Sequence, residues 1–505
     1  MSPLLNSIIS WVNTKRLHQI ELFKKYPGNV QSEVFSKLIS QAQNTLWGKQ
    51  YDYPSINSVK EFQNRVPIHA YEDIKPYIER LRNGEQNVLW PSEIKWFAKS
   101  SGTTGDKSKF IPVSPEALEE CHFRGGKDII AIYTKIFPET GILKGKALTL
   151  GGSNQINNYS NKSFYGDLSA VLIENLPFWA NFIRTPSAEI ALIPDFEEKM
   201  DKITRLTVNE NVTNIAGVPS WNLVLLNHIL DFTGKSNILE IWPTLELFTH
   251  GGVSFTPYRE QFKKIIPSDN MHYLETYNAS EGFFGIQDDL STNDMLLMLD
   301  LGVFYEFIPM SRFDEPNPPV LTIDEVEMNV NYAIVISTNG GLWRYLIGDT
   351  IVFTSLCPHK FRISGRTKYF INAFGEEVIL ENTEKALLTA CENTGAIVKE
   401  YTAGPLFFGD DPRGAHEWLI EFVKPPADME RFTDVLDATL SAINSDYEAK
   451  RFKNITLLGP RITSLQPGTF YRWMQKRGKL GGQNKIPRLS NDRKYLDELI
   501  TFVSQ

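Results

Sequence analysis

Apolar and polar positions alternate along this chain with four successive textures. Up to about Trp90 the spacing is helical: between Glu33 and Trp47, the side chains of Val34, Leu38, Ile39 and Ala42 return every three or four positions with polar residues between them. Pro54 and Pro67 punctuate this region, and a further helix is expected over 71–81, closed by the Asn83-Gly84 turn. From Trp96 short apolar runs alternate with helical stretches. Strands are expected at 94–98, 147–150, 213–217 and 245–249, and helices at 115–136 and 220–230. Strands alternating with helices imply an α/β domain with a largely parallel sheet.

A strand-rich stretch follows at 295–299, 303–308, 332–337 and 351–353, the pattern of a small barrel or an antiparallel sheet appended to that domain. Past Gly365-Arg366 the texture becomes α+β, with a strand at 369–372, a helix at 380–393, strands at 416–423 and 455–458, and a final stretch rich in Lys, Arg and Gly over 476–485. No repeat of fixed period appears. The expected division is a large N-terminal domain, 1–366, which includes the helical opening segment, and a smaller C-terminal domain, 367–505.

Composition narrows the function classes. The 505 residues suffice for roughly two to four domains. A net charge of 52 − 60 = −8 argues against general nucleic-acid or anionic-membrane binding, which needs Lys/Arg fields. No apolar run reaches the roughly 18 residues of a membrane span. The opening MSPLLNSIISW reads as an amphipathic helix, without the basic start and cleavage site of a signal peptide. Cys121, Cys357 and Cys391 are odd in number and far apart, which disfavours a disulfide framework, and Cys357 with His359 lacks further metal ligands nearby in sequence. The expectation is a soluble, reduced, cytoplasmic monomer that acts on small molecules.

Three clusters carry candidate chemistry. The run Lys99-Ser100-Ser101-Gly102-Thr103-Thr104-Gly105-Asp106-Lys107-Ser108-Lys109 places hydroxyls beside two glycines after an expected strand. Glycines let backbone approach a phosphate chain closely, and N–H and O–H groups donate to its oxygens. It is not a Walker A loop, because Lys107 stands five positions after Gly102 where that pattern needs glycine. By itself the run also reads as a polar surface turn. The second cluster, Thr276-Tyr277-Asn278-Ala279-Ser280-Glu281-Gly282, is expected to follow a strand at 272–274. In the third, Tyr345-Leu346-Ile347-Gly348-Asp349-Thr350, the aspartate is expected just after a tight turn between strands. A carboxylate such as Glu281 can hold Mg²⁺ against phosphates, and an aspartate can accept both hydroxyls of a ribose.

In this order and spacing the clusters resemble the adenylate-forming superfamily. Ser100–Lys107 looks like its phosphate loop; Tyr277, Ser280 and Glu281 match its Tyr-x-x-[Ser/Thr]-Glu; and Tyr345, Gly348 and Asp349 match its Tyr-x-x-Gly-Asp. Gly365-Arg366 is similar to the Gly-Arg before the superfamily's hinge, which puts the hinge at Lys368, and Phe374-Gly375-Glu376-Glu377-Val378 resembles the loop that follows. His250-Gly251-Gly252 resembles the turn beside adenine. Asn484-Lys485-Ile486-Pro487-Arg488 resembles the segment that carries the catalytic lysine, although Asn484 stands where glycine is usual and Lys479 competes with Lys485 for the role. The helical N-terminal segment, the form Ser-Ser-Gly-Thr-Thr-Gly and Gln483–Arg488 are similar to the plant acyl acid amido synthetases, which conjugate jasmonate, auxin or benzoates to amino acids.

The resemblance implies an adenylation domain with a mobile cap, and two half-reactions that use ATP and Mg²⁺. An acid's carboxylate attacks the α-phosphate of ATP to give acyl-AMP and pyrophosphate, and an amino acid's amine then attacks the acyl carbon. It implies phosphate donors at Ser100, Ser101, Gly102, Thr103, Thr104 and Gly105, and adenine contacts at Gly251, Gly252, Thr276 and a stacking Tyr277. It also implies Mg²⁺ on Glu281 beside Ser280, ribose on Asp349, and Lys485 between carboxylate and α-phosphate. Arg366 reaches ribose or phosphate, or else forms an interdomain ion pair. On the 115–136 helix, Arg124 is a candidate partner for the acid. Two other readings stay open at this level: an acyl-CoA ligase with the same first half-reaction, and a non-catalytic adenylate-binding protein.

Overall fold

The computed structural model describes residues 3–101, 108–150, 157–160, 163–177, 180, 182–252, 255, 258–367, 370–409, 411–477 and 487–504. The opening segment is helical, as its spacing predicts. The Pro27–Ala42 helix starts on proline, which fits a first turn because no N–H is needed there, and it buries Phe35, Leu38, Ile39 and Ala42. Buried Gln31 on the same face ties it to the sheet, donating to the carbonyls of Leu299 and Val303 at 2.7 and 2.9 Å and accepting from the Tyr305 N–H at 2.8 Å. The Tyr71–Arg82 helix buries Ile74, Ile78 and Leu81.

One mixed sheet organises the larger part of the chain. Among the described residues its strands run, edge to edge, Val303–Pro309, Asn331–Thr338, Tyr345–Leu356, His359–Arg366, Met295–Leu297, Gly282–Ile286, His272–Ala279, Leu247–Gly251, Val212–Gly217, Lys146–Thr149 and Arg184–Thr185. The strands from Val303–Pro309 through His272–Ala279 pair antiparallel, and those from His272–Ala279 to Arg184–Thr185 pair parallel. The antiparallel strands therefore continue the parallel sheet. The Pro219–Thr233 and Arg259–Ile265 helices make the crossovers on either side of Leu247–Gly251, which parallel pairing requires. A second sheet carries the hairpin Trp96–Ser101 and Ser108–Val113, paired in register from Trp96↔Val113 to Ser101↔Ser108.

The C-terminal part is a three-stranded sheet, Ile397–Phe408, Asp411–Lys424 and Arg461–Leu465, between helices. Strand alternation splits its two faces. Trp418, Ile420 and Phe422 pack with Phe432, Leu436 and Leu440 of Met429–Ile443, while Leu419 packs with Phe470, Trp473, Leu496 and Leu499. The first of these clusters runs on into the parallel half through Phe374, Tyr258, Phe262 and Phe248, and Tyr258 donates to the Ala373 carbonyl at 3.0 Å. The strand expected at 455–458 is a correction: only Leu457 pairs there, by one bridge to Gly414, because Lys453 and Asn454 turn the chain with positive φ, and the strand is Arg461–Leu465.

Candidate active site

Four parallel strands end on one side of the sheet. Thr149, Gly217, Gly251 and Ala279, or their next neighbours, line a polar cleft of about 390 Å³ and an apolar cavity of about 620 Å³. Open α/β sheets bind ligands beyond the carboxyl ends of their strands. The two spaces share walls at Leu150, Asp167, Leu168, Ser169, Gly217, Val218, Gly252 and Asn278.

Local sequence explains how each group reaches the cleft. The strand expected at 272–274 extends to Ala279, and Ala279 pairs with Gly282, so Ser280 and Glu281 form a two-residue turn whose residues both line the cleft. Burial raises the Glu281 carboxyl above its ordinary value, with Lys109 opposing. Asp349 does not follow a turn between strands. It lies within Tyr345–Leu356, where the register to Asn331–Thr338 shifts and Gly348 takes φ +99°, a bulge only glycine enters without strain. Asp349 faces Arg366 across the ladder and accepts from its Nε at 2.7 Å; Tyr277 Oη donates to the other carboxylate oxygen, and Glu377 pairs with Arg366 Nη1. Burial works against the Arg366 charge, but Asp349 and Glu377 hold its guanidinium above the ordinary value.

Alternation along His272–Ala279 decides which side chains face the ligand spaces. Thr276 and Asn278 line the cavity, and Asn278 the cleft as well. Tyr277 lies between them and points the other way, into the core, edge-on to Phe284 at 4.9 Å. The expected adenine stacking by Tyr277 therefore has no ring at the cleft wall to rest on. Gly251 is held close to the neighbouring strand: a Cβ there would lie 2.3 Å from the Thr276 carbonyl oxygen. Gly252 takes φ +81°.

Lys99 and Ser100 line the cleft from the Trp96–Ser101 strand. Lys109, on the partner strand, is buried beside Glu281 and also faces the cleft. The backbone of Ser101 closes that strand, and its side chain lies outside the described set. Gly102, Thr103, Thr104 and Gly105 of the hydroxyl loop, the hinge position Lys368, and both Lys479 and Lys485 lie outside the described residues. Among the described residues no group of three or more His, Cys, Asp and Glu side chains could by itself hold a metal.

The expected 115–136 helix divides into a wide π-turn, Ala117–His122, and an α-helix, Phe123–Ile136. His122, Phe123, Gly126, Ile129 and Ile130 roof the apolar cavity. Arg124 is not among its lining residues and instead donates to the Asp300 carbonyl at 3.4 Å. His122 was not singled out in the sequence. Its Nδ1 lies 3.0 Å from Asn278 Oδ1, and burial pushes its pKa down to about 4. Across the cavity the edge strand contributes Arg184, which is buried with none of its guanidinium nitrogens hydrogen-bonded among the described residues. The C-terminal part adds Asp446, Ala449 and Lys450 to the cleft, another contribution that no motif marked.

A parallel sheet whose strand ends carry a charged cleft opening into an apolar cavity has the layout of a two-substrate α/β site. The solved structure titled 2-Hydroxyisobutyryl-CoA Ligase in complex with 2-HIB-AMP and CoA shares the fold, with a TM-score of 0.58 at 12% identity over 94% of this chain and 91% of that one. The chain belongs to the GH3 family: the models of the family's N-terminal, central and C-terminal domains match residues 16–271, 296–366 and 381–494. It is similar to the indole-3-acetic acid-amido synthetase GH3.3 of Arabidopsis thaliana, 23% identical over 96% of this chain and 93% of the relative. The structure of the AtGH3.15 acyl acid amido synthetase in complex with 2,4-DB superposes with a TM-score of 0.64 at 18% identity, covering 97% and 96% of the two chains. Among the described residues no helix is long and apolar enough to cross a membrane.

Proposed function

We infer that this chain is an ATP-dependent ligase that activates a small carboxylic acid as its acyl-adenylate and transfers the acyl group to the amine of an amino acid. The observation that carries this reading is the shared wall at Asp167, Gly217, Gly252 and Asn278. It lets an acid in the apolar cavity present its carboxylate to a nucleotide in the cleft. Family membership supports the same reaction class, since the relatives carry the name of amido synthetases.

Carboxylate and triphosphate repel each other, so the chemistry needs donors and positive charge where the two meet. On this reading the 100–105 loop donates to phosphates, with Ser100 at the cleft wall. Asp349, held in place by Tyr277 and Arg366, takes the ribose hydroxyls, while Gly251 and Gly252 lie beside the base. The Glu281 carboxylate at the cleft wall suits Mg²⁺, which binds through one or two protein carboxylates plus phosphates, so Glu281 would hold it and the ion would neutralise the phosphate chain. Lys485 would bridge the acid and the α-phosphate, with Lys479 as its rival.

In the first step an acid oxygen bonds to the α-phosphorus and the bond to the β-phosphate oxygen breaks, releasing pyrophosphate. In the second the amino acid's ammonium gives a proton to water, the resulting amine bonds to the acyl carbon and loses its second proton to water, and the acyl–oxygen bond breaks to release AMP. The C-terminal part, 367–505, acts as a cap that changes orientation between the steps about Lys368.

Acid-dependent ATP–pyrophosphate exchange over a panel of acids, followed by product analysis with amino acids or CoA, tests the reading. Exchange with an amide product is expected; a thioester product with no amide would overturn the acceptor, and no exchange with any acid would overturn the ligase.

A further inference from the structure

The cleft carries charge differently at its two ends. At one end, Asp349, Arg366 and Glu377 satisfy one another, and Lys109 faces Glu281. At the other end stands Lys450, only 9% exposed, whose ammonium has no hydrogen bond or ion pair among the described residues. Its contact is with the face of Trp221, with Nζ 4.4 Å from the ring centroid.

This lysine is held in place by design of the surrounding chain. Its helix, Ser445–Arg451, is capped by Asn444, which accepts from the N–H groups of Asp446 and Tyr447. Tyr447 and Arg451 fasten one side of the helix to Asp437, which leaves Asp446, Ala449 and Lys450 toward the cleft. Gly375 opposite, at φ +85°, makes the room: a Cβ there would lie 3.2 Å from Nζ. Burial lowers the Lys450 pKa, and Asp446, Asp167 and Glu376 work against that. Glu376 already accepts from the Phe374 N–H at 2.7 Å and meets His416 Nε2 at 2.8 Å. Asp167 stands where the cleft and the apolar cavity meet.

We propose that Lys450, Asp167 and Trp221 form the acceptor subsite, in which Lys450 binds the α-carboxylate of the incoming amino acid and Asp167 attracts its ammonium, which gives a proton to water before the nitrogen attacks the acyl carbon. The proposal rests on the ligase reading above and adds a specificity-determining residue to it. A phosphate chain does not suit this end of the cleft, because several negative charges would meet the carboxylates of Asp167 and Asp446 beside Lys450. A zwitterion brings one charge of each sign to a subsite of mixed sign, and the Trp221 ring offers an apolar wall for the rest of the molecule. The cation comes from the C-terminal part and the carboxylate from the N-terminal part, so the subsite exists only when the two are docked as they are here.

The test uses the full chain with an acid identified by pyrophosphate exchange. Wild type should use an amino acid better than the corresponding carboxamide, on the order of 10- to 100-fold in kcat/KM, the value of a charge-assisted hydrogen bond. Lys450→Met should erase that preference by raising the amino-acid KM, and should lower the ratio of amide formation to exchange by a similar factor. Lys450→Arg should keep much of the preference. A wild type indifferent to the carboxylate overturns the proposal without any variant. Equal loss of exchange and amide formation in Lys450→Met also overturns it, since the lysine would then serve the nucleotide. Absence of exchange in wild type overturns the ligase reading beneath it, an outcome distinct from both.

Discussion

In the helix-covered antiparallel half of the sheet, Arg344 gives Nε and Nη2 to Glu306 at 2.9 and 3.0 Å, and Nη1 to the carbonyls of Gln63 and Val66. Arg16 is likewise bound by Asp128 and Asp300. Around the ligand spaces, among the described residues, Arg184 of the parallel half and Lys450 of the C-terminal part are buried with no hydrogen bond or ion pair. A buried cation without a partner is expensive, and paired cations hold shape without outside help. The first region is complete once the chain has folded, whereas the second is completed by what binds there.

The comparison breaks most sharply at Arg344. Arg344→Met leaves the fully buried Glu306 carboxylate with only the Gln63 side-chain amide, at 3.0 Å. Removing one member of such a pair costs about 3–5 kcal/mol. Denaturation midpoints should fall steeply, and an unchanged midpoint would erase the distinction between the two regions.

His122 sharpens it next. Its pKa is pushed from 6.5 down to about 4 in the folded chain, so the unfolded chain binds the proton first. Its contribution is fully present above about pH 6.5, is lost as pH falls toward 4, and changes no further below that, a total on the order of 3 kcal/mol. His122→Gln should flatten that part of the stability–pH profile. Parallel profiles for variant and wild type between pH 7 and 4 would show that the imidazole is not held neutral by the cavity roof.

Asp349 tests the paired end of the cleft. If it holds ribose, Asp349→Ala should raise the KM for ATP about 100-fold, because a misplaced α-phosphate loses its line to the acid. Asp349→Asn keeps the shape and separates ligand binding from the ion pair to Arg366. A variant that loses only thermal stability, with ATP dependence intact, would make Asp349 a structural partner and nothing more.

What was legible in the sequence follows from how local each feature is. The Tyr71–Arg82 helix and the Val212–Gly217 strand came through because their apolar spacing is their own. Glu281 and Asp349 were found by motif, but their settings were misread: a two-residue hairpin needs both strands to be seen, and a bulge at Gly348 depends on the neighbouring strand's register. The motif points Tyr277 at the ligand, whereas alternation with Thr276 and Asn278 turns its ring inward against Phe284, a signal the sequence itself carries. Lys450 and His122 were not legible at all. One sits in a polar seven-residue helix that is buried only by docking against Gly375 and Trp221, and the other is aimed by a π-turn that no spacing announces.

The smallest effect is expected at Arg184, and it is the one that most directly weighs the two regions against each other. Its strand is two residues long, at the sheet's edge, and Arg184 pairs with Ala147 on the face that lines the apolar cavity. Burial lowers its pKa, and no acidic group offsets that. Met keeps most of the stem's volume and removes only the unpaired charge, so the unliganded Arg184→Met variant should be as stable as wild type within about 1 kcal/mol, or more stable. Thermal and chemical denaturation of Arg184→Met beside Arg344→Met make the measurement, since the same substitution is made at two buried arginines that differ in their partners. If both variants lose stability alike, pairing is not what separates the two regions. A loss confined to Arg344→Met would mean that the cavity's arginine contributes nothing to folding.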